Sequence, residues 1–323
     1  MSELRWNPLL REWVITATAR QERTYLPSAA QCPLCPTRDP GAPTEIPRPN
    51  FDIAVFENRF PALRRQPPAP DVEGSELAPV MPAEGICEVV VYTPEHTGTL
   101  TDQPVEQIYK LILVWTDRYR ALGELPFIKY VFIFENKGAI VGTTLHHPHG
   151  QIYAFPYVPP IPARELEAGR VHRAEHGRCL LCDIVAQESA EARRVIGENQ
   201  SCVAYVPFFA RFPYEVHIAT LAHRQSLLDF DEADRQALAY MLKDVLVRYD
   251  ALFEMSLPYM MVVHQAPVGG DADAHFHVEF YPLNRSKEKL KYRAGCESGA
   301  GTFVTDALPE QWALALRGDK LTR

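Results

Sequence analysis

Residues 142–153 read GTTLHHPHGQIY, a stretch in which three histidines fall within four positions. A proline and a glycine interrupt a segment that otherwise resembles a β-strand. His147 and His149 are two residues apart, so both side chains point to the same face of an extended strand. The segment therefore predicts a strand that presents paired imidazoles.

A second copy of this pattern lies later in the chain. The segment EVVVYTPEH (88–96) matches EVHIATLAH (215–223), and HHPHGQIY (146–153) matches AHFHVEFY (274–281). Matched positions in these segments, and in the similar segments that lie between them, are 127–132 residues apart in the sequence. Similarity kept in order at a nearly fixed offset indicates that the chain consists of two structural repeats.

Each copy has the same predicted secondary structure. Runs of β-branched residues at 87–94 and 215–221 predict one strand, and the segments 128–135 and 259–264 predict another before the histidine strand. Between these two strands of each copy, apolar residues recur every three or four positions, as in an amphipathic helix. We predict an α+β fold of two tandem repeats, each an antiparallel sheet with packed helices.

The predicted domain boundaries follow the repeats. Residues 1–160 form the first repeat, 175–300 the second repeat and 301–323 a C-terminal tail.

Composition and charge narrow the class of protein. The 323 residues are 46% hydrophobic and 23% charged, and both values are typical of a soluble globular protein. There is no apolar run long enough to span a membrane, and MSELRWNPLLREW lacks the apolar core of a signal peptide, so we expect a cytoplasmic protein. A net charge of −8 argues against nucleic-acid binding, but a few local arginines are enough to hold a small anion.

Each copy carries the residues of a zinc site. Two Cys-x-x-Cys pairs in a reducing compartment favour metal binding over disulfides, and zinc takes four tetrahedral nitrogen or sulfur ligands. The predicted ligands are Cys32, Cys35, His96 and His147 in copy one, and Cys179, Cys182, His223 and His275 in copy two. Four filled positions indicate structural sites. The alternative interpretation is two pairs of buried thiols with unrelated histidines.

His149 is a candidate nucleophile because it lies beside a predicted metal ligand without being one. Imidazole is nucleophilic near neutral pH and forms covalent intermediates. Gly150 permits close approach of a bulky anion, and the amide of Gln151 can hold a phosphoryl oxygen. These residues suit a phosphorylated or nucleotidylated histidine, although a second structural histidine fits the same composition.

The motif HxHxQ resembles the histidine-triad superfamily, which implies two histidine-triad-like repeats. The longer string FENKGAIVGTTLHHPHGQIYAFP (134–156) resembles the galactose-1-phosphate uridylyltransferase family, and the resemblance covers roughly residues 5–300. By that resemblance, His149 attacks UDP-glucose and forms a covalent uridylyl-histidine, with Gln151 orienting the phosphoryl group. Galactose 1-phosphate then accepts the UMP in a ping-pong cycle.

The resemblance also implies which residues contact the substrates. The matching positions are Arg20, Arg23, Asn58, Phe60, Phe134, Asn136, Thr144, Lys291, Tyr292 and Glu297. The family segment that corresponds to 291–297 crosses into the partner subunit, which implies a homodimer. Arg59 and Cys296 depart from the family's usual aspartate and tyrosine, which puts the base and sugar contacts in doubt.

Copy two lacks part of this chemistry. His277 stands where the nucleophile would be, but Val278 and Glu279 replace the glycine and the glutamine. We interpret copy two as a degenerate, supporting site. Family members place an iron or zinc here, and the matching positions are Glu165, His264, His277 and Glu279, with a glutamate in place of one histidine.

Two other functions remain open at the level of sequence. One is a related adenylyl-type transferase or phosphorylase that acts on ADP-glucose or a dinucleoside polyphosphate. The other is a non-catalytic, zinc-stabilised nucleotide-binding protein. The intact His149-Gly150-Gln151 set argues against the second. In each case the expected partners are sugar nucleotides and sugar phosphates, with neither nucleic acid nor membrane.

Overall fold

The structure is a computed structural model that describes residues 2–22 and 25–318. Its strands are β1 (Ser2–Asn7), β2 (Glu12–Ala17), β3 (Ala54–Glu57), β4 (Val80–Pro82), β5 (Ile86–Val91), β6 (Tyr130–Lys137), β7 (His149–Phe155), β8 (Val195–Glu198), β9 (Cys202–Tyr205), β10 (Val216–Thr220), β11 (Tyr259–His264) and β12 (His277–Pro282). Its α-helices are α1 (Val105–Gly123), α2 (Pro160–His176), α3 (Leu180–Glu191), α4 (Glu232–Leu252) and α5 (Pro309–Arg317).

One antiparallel sheet runs through both repeats. Its nine strands are ordered β3-β5-β7-β6-β11-β12-β10-β9-β8, and a separate three-stranded sheet has the order β2-β1-β4. The repeats meet where β6 pairs with β11, with Tyr259 opposite Lys137 and Val263 opposite Ile133. Since β6-β7-β5 and β11-β12-β10 are equivalent triplets, the junction relates the repeats by an approximate twofold axis.

Helices α1 and α4 cover one face of the large sheet. The apolar stripe of α1, including Ile112 and Trp115, and that of α4, including Leu238 and Val245, are buried against strand residues such as Ile133. Alternate residues of each strand point to opposite faces, so this core takes only half of the strand side chains. The other half line the opposite face, where the histidines lie.

The predicted α+β fold of two histidine-triad-like repeats is confirmed. The two repeats share one continuous sheet, because β6 of the first repeat and β11 of the second pair through backbone hydrogen bonds. Residues 161–174, which connect the two predicted repeats, lie within α2. Within the predicted tail 301–323, α5 packs Trp312 and Leu316 into the main core.

No helix within residues 2–22 and 25–318 combines the length and apolarity needed to cross a membrane.

Candidate active site

A cavity of about 300 Å³ opens on the sheet face opposite α1 and α4. Strands β5 and β7 lie beneath the cavity and pair antiparallel, with Val91 opposite His149 and Val89 opposite Gln151. The cavity gathers most of the residues predicted to bind substrate. Its lining includes Arg20, Asn58, Phe60, Phe134, Asn136, Thr144, His149 and Gln151.

His149 begins β7 and is fixed by its own backbone. Its Nδ1 donates to the carbonyl oxygen of His147 at 2.7 Å. Among the described residues Nε2 has no hydrogen-bond partner, so this nitrogen keeps its lone pair for a ligand in the cavity. Burial lowers the pKa of His149, which keeps the ring neutral at physiological pH. A neutral imidazole is nucleophilic when one nitrogen donates a hydrogen bond and the other keeps an available lone pair.

Donors for an anion line the same cavity as His149. Gln151 is the next residue of β7 on the same face, and Thr144 lies in the loop that leads into the strand. Arg20 is held at the cavity by a 2.9 Å hydrogen bond from its guanidinium to the hydroxyl of Tyr153. Arg23, predicted as its partner, lies outside the described residues.

Apolar and amide groups form the rest of the cavity. Phe134 stacks on Phe132 with ring centroids 5.4 Å apart. Asn58 folds its side chain back to accept the backbone N–H of Phe60 at 2.8 Å, which fixes the turn after β3. Asn136 lies near the end of β6, where its backbone carbonyl accepts a hydrogen bond from the Thr143 hydroxyl at 2.6 Å. An aromatic wall with asparagine amides in the same lining suits a nucleoside base.

A buried hydroxyl explains the glycine of HPHGQ. A Cβ at Gly150 would lie 2.2 Å from the Tyr92 hydroxyl, which no side chain tolerates. That hydroxyl donates to Glu135 at 3.2 Å, and the hydroxyl of Tyr259 donates to the same carboxyl at 3.2 Å. Burial raises the pKa of Glu135 to about 7. The sequence did not predict this network, although Glu135 lies inside the FENKG motif.

Gly150→Ala should therefore disturb the strand that carries the nucleophile. We expect the free energy of unfolding to fall by about 1–3 kcal/mol from overpacking, together with a loss of activity. Tyr92→Phe removes the clashing oxygen, so the double variant should be more stable than the sum of the two single effects predicts. Denaturant unfolding of all four proteins measures this coupling. Additive effects would show that Gly150 and Tyr92 are not in contact.

The first cysteine–histidine cluster has the dimensions of a zinc site. The Cys35 sulfur lies 3.4 Å from Nδ1 of His96 and 3.6 Å from Nδ1 of His147. Tetrahedral zinc with ordinary bond lengths separates sulfur and nitrogen ligands by roughly 3.6 Å. Nε2 of His147 bonds the Thr93 carbonyl at 2.8 Å, which leaves Nδ1 unprotonated toward the cysteines. Cys32 completes a donor set that fits zinc.

The second cluster repeats this arrangement. The Cys182 sulfur lies 3.7 Å from Nδ1 of His223 and 3.4 Å from Nδ1 of His275, and Cys179 completes the set. Nε2 of His275 bonds the Thr220 carbonyl at 2.9 Å, as Nε2 of its counterpart does in copy one. Both predicted ligand sets are thus brought together with the same orienting bond, and both could bind metal.

His277 occupies the position of His149 in a different electrostatic environment. Its Nδ1 donates to the His275 carbonyl at 2.8 Å, which is the same backbone bond. Its Nε2, however, lies 3.5 Å from Glu279 and 3.9 Å from Glu165. Burial alone lowers the pKa of His277, but these carboxylates raise it to about 9. A protonated ring has no lone pair for phosphorus, and carboxylates repel a phosphate.

The third predicted ligand set also converges. Its ligand atoms lie within 4.8 Å of one another and come from Glu165, His264, His277 and Glu279. Nδ1 of His264 bonds Glu165 at 2.8 Å, and His217 lies 3.3 Å from Glu279. Two carboxylates and two imidazoles could hold zinc or iron, and they also satisfy one another as ion pairs.

The segment 291–297 does not join this cavity within one chain. Lys291 and Glu297 are buried against each other, with the ammonium 2.5 Å from the carboxylate. Tyr292 between them is 71% exposed. None of these three is among the described residues that line the cavity.

The chain matches known proteins over nearly its whole length. Residues 1–159 match the family model of the galactose-1-phosphate uridyl transferase N-terminal domain, and residues 165–322 match that of the C-terminal domain. A galactose-1-phosphate uridylyltransferase of Thermotoga maritima is 43% identical over 98% of both chains. One of Rattus norvegicus is 33% identical over 97% of this chain and 86% of the relative.

Solved structures agree with these matches. A uridylyltransferase structure superimposes with a TM-score of 0.87 at 34% identity, covering 98% of this chain and 97% of the other. An ADP-glucose phosphorylase of Arabidopsis thaliana with bound ADP-glucose superimposes with a TM-score of 0.73 at 25% identity over 100% of both chains. Two matching domain models and relatives this similar place the chain in the galactose-1-phosphate uridylyltransferase family.

Proposed function

We propose that the chain moves UMP from UDP-glucose to galactose 1-phosphate through a covalent uridylyl-histidine at His149. The observation that carries the proposal is the fixed, neutral imidazole whose free Nε2 belongs to a residue lining the cavity. The residues around it supply the donors that a phosphoryl group needs. The first repeat, residues 1–160, is the catalytic unit, and 175–300 is the supporting one.

The two half-reactions use the same nitrogen. Nε2 of His149 attacks the α-phosphorus of UDP-glucose, the P–N bond forms, and the P–O bond to glucose 1-phosphate breaks. A phosphate oxygen of galactose 1-phosphate then attacks the same phosphorus and the P–N bond breaks, giving UDP-galactose. Gln151 and Thr144 donate to the non-bridging oxygens, and Arg20 offsets their charge. Phe60, Phe134, Asn58 and Asn136 hold the nucleoside.

We assign structural zinc to both cysteine–histidine clusters. Bound zinc would fix loops against the sheet, and all four ligand positions come from protein. The Glu165, His264, His277 and Glu279 cluster is a candidate for a further iron or zinc. In the transfer proposed above, the nucleophile is the histidine itself.

We also propose a cytoplasmic homodimer in which residues 291–297 reach the partner's active site. The exposed Tyr292 supports this, because the buried Lys291–Glu297 pair holds it outward from its own chain. In this arrangement Lys291 and Glu297 shape the segment, and Tyr292 is the residue of the three that can touch a substrate.

Initial rates with two nucleotides test the substrate assignment. With UDP-glucose and galactose 1-phosphate, double-reciprocal plots should give parallel lines, as a ping-pong cycle requires. ADP-glucose should be used at least about 100-fold less efficiently, since the base pocket discriminates by hydrogen bonds. Preference for ADP-glucose would instead support the adenylyl-type alternative, in keeping with the Arabidopsis structural relative.

A further inference from the structure

The candidate active site contains a carboxylate that the uridylyl transfer does not use. Glu45 lines the cavity together with His149, although the cavity is expected to hold a diphosphate. A negative charge beside an anionic ligand is unfavourable unless it is paired and accepts hydrogen bonds from that ligand. The position of Glu45 therefore calls for a hydroxyl or N–H donor on the substrate.

The surrounding structure holds Glu45 at one place. Its backbone N–H donates to the Pro33 carbonyl at 3.0 Å, which ties it to the loop between Cys32 and Cys35. Its Oε1 accepts from the Arg59 guanidinium at 3.2 Å. Arg59 is its only hydrogen-bond partner among the described side chains, so the second carboxylate oxygen is open to a ligand. Glu45 is 29% exposed and Arg59 is 69% exposed, which places the pair at the cavity mouth.

The cavity also has an apolar region. Leu34, Phe56 and Val89 line it, and all three pack in the small cluster beneath the cysteine loop. A flat base fits this apolar region, and the phosphates must reach His149. The ribose joins base to phosphate, and its two hydroxyls are donors that a carboxylate can accept. Acidic side chains recognise ribose hydroxyls in the same way at other nucleotide sites.

We infer that Glu45, held by Arg59, accepts hydrogen bonds from the ribose hydroxyls and makes the site selective for ribonucleotides. This inference rests on the proposed function. It makes Glu45 a specificity-determining residue and Arg59 a positioning residue. Arg59 neutralises the carboxylate against the diphosphate and leaves one oxygen for the hydroxyls.

The test compares kcat/KM for UDP-glucose and for its 2′-deoxyribose analogue. A hydrogen bond to a charged acceptor corresponds to roughly 10- to 100-fold in affinity, so the wild type should prefer UDP-glucose by about that factor. Glu45→Ala should reduce the preference to about twofold, mainly by losing activity on UDP-glucose. Glu45→Gln, which keeps the shape and one neutral acceptor, should give an intermediate ratio. Arg59→Ala should also lower the ratio.

The matched control is Glu57→Ala, which removes the glutamate at the end of β3. Glu57 is exposed, pairs with Arg65 at 3.1 Å and does not line the cavity, so the ratio should not change. Each ratio comes from one preparation and is independent of the fraction of folded enzyme. An unchanged ratio in Glu45→Ala, or a wild type without preference, overturns the inference. A wild type inactive on both nucleotides overturns the proposed function itself.

Discussion

Replacing His149 with alanine should lower the rate of UMP transfer by about 10⁴-fold or more, the scale at which loss of a covalent nucleophile acts. The variant should still fold, because the His149 side chain makes one hydrogen bond, to a backbone carbonyl of its own strand. Binding of UDP-glucose should persist, since the other cavity residues remain. Calorimetric binding and steady-state rates on the same preparation measure the two effects separately.

His277→Ala is the matched control for that variant. It removes the histidine at the equivalent position of copy two, with the same bond to a backbone carbonyl. Because His277 lies among carboxylates that repel a phosphate, we expect transfer per folded molecule to stay within about twofold of the wild type, while stability falls through the lost contacts with Glu165 and Glu279. Comparable rate losses in both variants would contradict the assignment of the nucleophile to copy one.

Loss of the zinc proposed for the copy-one cluster should have the second largest effect. Cys32→Ala removes a buried ligand, and loss of a structural metal costs about 4 kcal/mol or more of folding free energy. The same loop carries Pro33 and Leu34 into the wall of the cavity. We therefore also expect KM for UDP-glucose to rise by about tenfold at a temperature where the variant is folded. Metal analysis, thermal unfolding and initial rates measure these changes.

Cys179→Ala gives the comparison for the second cluster. It should lower the metal content and the melting temperature, because Cys179 is buried and its cluster joins the start of α3 to the histidine strand. Its loop does not line the active cavity within the described residues, so KM for UDP-glucose should change by less than about twofold. Equal increases in KM for the two variants would mean that zinc acts only through global stability.

Much of the site could be predicted because the duplication repeats its chemistry in order. Two Cys-x-x-Cys pairs and two histidine segments predicted both ligand clusters. The expectation that His147 and His149 share one strand face did not anticipate that β7 begins at His149, which leaves His147 before the strand. The contrast between His149 and His277 was also predictable in outline, since Glu279 replaces a neutral amide with a charge. The charge around Nε2 of His277 comes from two carboxylates, however, and one of them belongs to Glu165 on α2, which is distant in the sequence.

Other features depend on tertiary contacts that have no local pattern. The clash between Gly150 and Tyr92 joins residues of neighbouring strands, and only their register brings the hydroxyl under the glycine. The junction of the repeats depends on which edge strands meet, which periodicity within one repeat does not encode. Lys291 and Glu297 matched a substrate-binding motif, yet their charges satisfy each other within the chain.

The most direct test of the account is a half-reaction without acceptor. The protein is incubated with UDP-glucose labelled at the α-phosphorus, and the protein-bound label and the released glucose 1-phosphate are counted. We predict one acid-labile, base-stable label per active site with an equal amount of glucose 1-phosphate, none on His149→Ala, and discharge of the label to UDP-galactose on addition of galactose 1-phosphate. Turnover of both substrates without any label on the wild-type protein would contradict the covalent uridylyl-histidine.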